Sequence, residues 1–135
     1  CAKEINKFRN KYIKKINKKF YPHIKGNTDS EIMFYYFLTL LHNFNFLIAI
    51  RNFFYDLKNN NYKISANIIF TNKNISFVSR FVNRNLIAPS LYINKSDKII
   101  ISSEPLLDEY KLVDNNVVFI FDNITKKLLH KIKII

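Results

Sequence analysis

The apolar positions change their period about halfway along the chain. Ile5, Phe8, Tyr12, Ile13, Ile16 and Phe20 recur at helical spacing. Lys7, Lys11, Lys14, Lys15, Lys18 and Lys19 fill much of the remainder, so the pattern predicts an amphipathic helix with a basic outer face. "YPHIKGN", Tyr21 to Asn27, breaks it. Thr28-Asp29-Ser30-Glu31 then matches a capping box, in which Thr28 accepts from the amide of Glu31 and Glu31 reaches back to the amide of Thr28. Acidic residues at that point also suit the positive end of a helix dipole. Ile32 to Leu41 is apolar nearly all round, which predicts a central, buried helix. "HNFN", 42–45, loosens the pattern before a further helix that runs to about Lys58, where "KNNNYK" ends it.

From there the period is two. Ser65–Phe70 and Ile75–Phe81 read as strands joined by "TNKN". Leu91–Ile93 and Ile99–Ser102 flank "NKSD", and Val117–Phe121 and Leu128–Ile134 flank "DNITK", giving two more hairpins. In the last strand Leu128, His130, Ile132 and Ile134 fall on one face. Helices first and antiparallel strands second make an α+β fold, with the sheet covered by helices. At 135 residues, without internal repeat, linker or low-complexity tail, the chain is expected to be a single domain over 1–135.

Composition narrows the chemistry. A 48% hydrophobic share with 13 Phe and 8 Tyr describes a globular chain. One Cys excludes an internal disulfide and a multi-cysteine metal site, and suits a reducing, intracellular and cytoplasmic setting. A single Gly excludes both the phosphate-binding P-loop and the dinucleotide fingerprint. No signal peptide is visible at the start. The most apolar window, Ile32 to Ile50, is interrupted by Thr39, His42, Asn43 and Asn45, which argues against a membrane span. His23, His42 and His130 are scattered, and no metal or cofactor is expected.

Lys+Arg number 22 against 10 Asp+Glu, a formal net charge of +12. Such a balance favours acidic partners, RNA or a nucleoprotein assembly first among them, with Lys7 to Lys19 on phosphate. The abundance of Asn, Lys, Ile, Phe and Tyr is also what an AT-rich genome writes into any protein. Both origins of the charge stay open.

Two stretches carry more. "GNTDSEIMFYYFLTLL" resembles the Gly-x-Thr-Asp-Ser-Glu helix start of class II glutamine amidotransferases, the N-terminal-nucleophile family. "IIISSEPLLDEYKLVDNNVVFI" resembles that family's late strand ending in Ser-Glu-Pro-Leu and the hydrophobic strand after it. Between them, "SANIIFTNKNISFVSRFVN" and "PSLYI" fit the family's paired strands in the same order. The nearest branch is the small amidotransferases of glutathione breakdown and ergothioneine synthesis, which act on γ-glutamyl amides. The resemblance runs from about Ile5 to the end and implies part of an αββα N-terminal-nucleophile-hydrolase layer. It implies that Asp29, with Thr28 beside it, stands where the family holds the α-amino group of glutamine.

The resemblance also implies what this chain does not supply. The family's nucleophile is an N-terminal Cys whose own amine is the base. Cys1 is tempting but misplaced: aligned through Ile5 and Phe8, "CAKEINKF" falls on the family's His-Asn-Gly-x-Ile-x-x-Phe. Cys1, Ala2 and Lys3 then stand where that His, Asn and Gly would be. No catalytic residue is expected in this chain, because losing one oxyanion donor alone costs about 10²–10³ in rate. The expected function is a non-catalytic, amidotransferase-like binding or scaffold protein. The alternatives are the C-terminal part of an active γ-glutamyl amide hydrolase, and a basic module of a nucleoprotein assembly.

Overall fold

The computed structural model describes residues 2–135, with side chains from residue 5 onward. The chain divides into two compact units, Cys1–Leu57 and Lys58–Ile135. The first is helical: α1 (Ala2–Ile13), a 3₁₀ helix (Lys18–His23), α2 (Asp29–Asn43) and α3 (Phe46–Lys58, whose last residue falls in the second unit). The second carries seven strands: β1 (Ser65–Thr71), β2 (Ile75–Val82), β3 (Tyr92–Asn94), β4 (Ile100–Ser102), β5 (Lys111–Leu112), β6 (Val117–Asp122) and β7 (Leu128–Lys133). The α+β order expected from the periodicity is the order observed.

The first helix is shorter than its apolar period. The α-helix stops at Ile13, where the amides of Lys15 and Ile16 bond the carbonyls of Tyr12 and Ile13 three residues back. Those tighter bonds turn the chain, and the basic stretch continues as a 3₁₀ helix. Asn17 fixes the break. Its amide donates to Thr39 Oγ1 at 2.9 Å, and its side chain accepts from the amide of Lys19 at 3.1 Å. Ile16 remains buried because a residue in a turn can keep the same facing as one in a helix.

Rings link the three α-helices. Phe8 meets Tyr12 at 4.6 Å, Tyr12 meets Tyr36 at 5.1 Å, Tyr36 meets Phe53 at 6.0 Å and Phe37 meets Phe53 at 5.3 Å. Offset and edge-on rings add to their burial. Behind them the hydroxyl of Tyr36 donates to Asp56 Oδ2, which also takes Lys15 Nζ, while the Tyr12 hydroxyl donates to the carbonyl of Asp56. Burial, followed by the hydrogen bond to Asp56, raises Tyr36 far above the ordinary phenol range. α2 is less enclosed than its composition predicts. Ile32, Tyr36, Phe37, Thr39 and Leu40 are buried, but Phe34 is 44% exposed.

In the second unit β1-β2-β6-β7 form one antiparallel sheet and β4-β3-β5 a smaller one. All three predicted hairpins form, and the two-residue β5 is an addition. Val78, Val117, Phe119 and Phe121 share one core with Leu91, Ile93 and Val113, so the small sheet and its flanks cover one face of β2 and β6. Phe77, Phe81, Val118 and Ile120 on the opposite face are buried too. That explains why "VVFIF" reads as a continuous apolar run instead of an alternation. The edge strand β7 is mostly exposed, and a register shift between Ile120 and Phe121 makes Leu129 an extra residue. Leu128 is therefore out of step with His130, Ile132 and Ile134.

Arg80 organises the connection between the two sheets. Its guanidinium donates to three carbonyls, of Pro89 (2.8 Å), Ala88 (3.0 Å) and Val113 (3.1 Å). Asn83, almost fully buried, holds the approach to β1 by accepting from the amide of Ile64 and donating to the carbonyl of Tyr62. Arg84, Asn116 and Lys126 adopt left-handed backbone with φ of 57–59°.

Candidate functional site at the start of α2

Thr28 caps α2. Its φ and ψ are extended, and its Oγ1 accepts from the Glu31 amide at 3.2 Å, as the capping pattern predicts. The reciprocal half differs. Glu31 does not reach the amide of Thr28 but folds back further. Oε1 accepts from the Lys25 amide at 2.8 Å, and Oε2 accepts from the Gly26 amide at 2.8 Å. The carboxylate thus closes the loop 25–31 from outside the helix. Those two amides, and more weakly the charge of Arg9, hold its carboxyl below the usual range.

The position of the only glycine follows from this contact. A Cβ on Gly26 would lie 3.0 Å from Glu31 Oε2. Gly26 needs no unusual φ. It is a close-approach glycine, leaving room for a carboxylate against the backbone.

Asp29 is exposed at the first position of α2, and its Oδ1 accepts from the Ser30 amide at 2.8 Å. A carboxylate so placed can accept an ammonium from solvent. Thr28 is less free to contact a ligand, since its hydroxyl is engaged in capping. The nearby loop is tied down by Tyr35, whose hydroxyl donates to the His23 carbonyl at 3.0 Å. The Ser103-Glu104-Pro105-Leu106 stretch follows β4 in the second unit. There Ser90 Oγ donates to the Ser103 carbonyl and Ser102 Oγ to that of Glu104. Cys1 lies outside the described residues.

The basic stretch is not uniform. Lys15 is engaged with Asp56 and lies over the rings of Tyr12 and Tyr36. Lys19 contacts His42 Nδ1 at 3.0 Å and the Phe20 ring at 4.9 Å, and Lys11 lies over Tyr12. Lys7, Lys14 and Lys18 are exposed. Sequence reasoning missed Asp56, Arg80 and the carboxylate clamp of Glu31. A charged residue inside an otherwise apolar pattern was the available signal for the first two, and the unique glycine for the third. Among the described residues no group of three His, Cys, Asp or Glu could hold a metal ion, and no helix is long and apolar enough to cross a membrane.

Helices followed by antiparallel strands fit a class II glutamine amidotransferase-like fold, which likeness to a solved structure supports. The solved structure of a glutamine aminotransferase class-II domain protein from Silicibacter pomeroyi matches it with a TM-score of 0.69 at 23% identity. The match covers 84% of this chain and 56% of that one, so the chain spans little more than half of its structural neighbour's length. No family model and no curated protein matches the chain.

Proposed function

We propose that residues 1–135 act as one amidotransferase-like domain that binds or scaffolds without hydrolysing glutamine by its own residues. The supporting observation is the fold likeness over most of this chain but about half of its neighbour, with Cys1, Ala2 and Lys3 where the resemblance calls for His, Asn and Gly. In this reading Asp29 receives the α-ammonium of a glutamine-like ligand, and Thr28 shapes its seat by holding the helix start.

The test pairs an ammonia-release assay with amide NMR during a glutamine titration. The expected result is no ammonia and saturable shifts at Asp29 and Ser30. Asp29→Asn should weaken binding about tenfold, the scale of one charge-assisted hydrogen bond. Ammonia release by residues 1–135 would refute the non-catalytic reading, whereas the alternative, the C-terminal part of an active γ-glutamyl amide hydrolase, predicts release only when a nucleophile half is also present. Absence of any shift at Asp29 would remove the ligand assignment. The exposed Lys7, Lys14 and Lys18 support a second, compatible reading as a nucleoprotein-associated module. RNA binding that does not weaken with salt would refute it, since phosphate contacts release counterions.

A further inference from the structure

The second unit holds a cleft of about 560 Å³ that the glutamine reading does not use. Strand pairing assembles it from distant positions. Lys131 on β7 stands opposite Phe119 on β6, Lys111 on β5 stands opposite Ile93 on β3, and Lys95 follows directly on β3. Ser96 lines the same cleft. Lys95 Nζ sits 4.8 Å from the centroid of the Phe119 ring and 5.8 Å from that of Phe121, and Lys131 Nζ is 5.5 Å from Phe119. Partial burial, and then the charges of Lys131 and Lys111, hold Lys95 below the ordinary lysine range. Three ammonium groups therefore share one concave space.

Two carboxylates, Asp114 and Glu109, also line the cleft. Asp114 pairs with Lys131 at 3.6 Å, and Glu109 accepts from Asn94 Nδ2 at 3.5 Å. Lys95 and Lys111 have no carboxylate within ion-pair distance among the described residues. The cleft contains lysines and no arginine. Arginine's planar fork matches carboxylate and phosphate alike, whereas ammonium point charges arriving from different strands impose no plane and can surround the oxygens of a tetrahedral oxyanion. The volume falls in the range of small-ligand sites, and Phe119, Leu112 and Leu128 give it an apolar wall.

We propose that this cleft binds the phosphoryl group of a small phosphomonoester, with Lys95 and Lys111 as its principal contacts. The test titrates the full chain with inorganic phosphate and with phenyl phosphate, followed by amide NMR. Both should saturate and shift Ser96, Lys111 and Lys131, with phenyl phosphate the tighter because of the apolar wall. Lys95→Met should weaken phenyl phosphate about tenfold, the loss of one charge-assisted contact. Lys111→Met is a second variant for the same loss, should the first not fold. Lys14→Met, on the basic stretch of the first unit, should leave binding unchanged. No saturation up to tens of millimolar would overturn the proposal. So would equal loss in Lys14→Met, which would reveal only diffuse charge, or a response confined to a phosphodiester oligonucleotide. None of these outcomes depends on Asp29, so the glutamine reading can fail without touching this one.

Discussion

Asp56→Ala is the sharpest probe of how the helical unit is held. Asp56 Oδ2 receives both the Tyr36 hydroxyl and Lys15 Nζ. Tyr36 is 4% exposed, so its hydroxyl depends on Asp56 for its acceptor. An orphaned buried hydroxyl costs about 1–3 kcal/mol. The Lys15 pair adds little, since the two side chains are 40% and 29% exposed and such pairs contribute about 0–1 kcal/mol. Asp56→Ala should therefore destabilise by about 1–4 kcal/mol, and Lys15→Met by less than about 1 kcal/mol. Tyr36→Phe removes the donor instead of orphaning it. In the double variant the orphan penalty disappears, leaving a coupling of about 1–2 kcal/mol. Urea denaturation of the four proteins, followed by helical circular dichroism, measures the cycle. The sign of the pH effect is fixed too. Tyr36 has a raised pKa in the folded chain, so its contribution is complete below the unfolded value near about 10 and falls as pH rises past it. Tyr36→Phe should flatten that alkaline decline. A cost for Asp56→Ala below about 0.5 kcal/mol, or a coupling of zero, would refute the reasoning.

Two further perturbations separate local from global effects. Gly26→Ala should push the Glu31 carboxylate off the Gly26 amide and return its carboxyl toward the usual range, read by NMR titration of Glu31; an unchanged midpoint would show that the loop gives way instead. Arg80→Met strips three carbonyls of their donor and should cost about 2–4 kcal/mol in thermal or urea unfolding, with amide exchange accelerated around Ala88 and Val113. Arg80→Lys should recover little of it, because one ammonium cannot span a fork.

The parts of the molecule legible in the sequence are those set by local patterns. Thr28 announced the start of α2, Lys58 the end of α3, and the turn stretches at 71–74, 94–97 and 122–126 the three hairpins. What escaped was decided by partners far away in the chain. The first helix ends at Ile13 because Asn17 finds Thr39, 22 residues on, and periodicity carries no trace of that bond. The bulge at Leu129 obeys the pairing with β6, and a strand read alone keeps strict alternation. Asp29 could be found from its motif and indeed heads the helix. Its exposure could not, nor could the turning of Glu31 toward Gly26 and Lys25 instead of Thr28.

That clamp leaves the rest of the backbone without its usual relief. The chain's one glycine is used to make room for a side chain, so the left-handed positions fall to Arg84, Asn116 and Lys126. For Asn the left-handed region is tolerated, but for Arg and Lys it costs about 1–2 kcal/mol each. Two reserves of stability are thus built into the sheet unit at exposed corners. They make it a protein whose tolerance of heat could be raised at Arg84 and Lys126, both exposed, without touching any residue in its core.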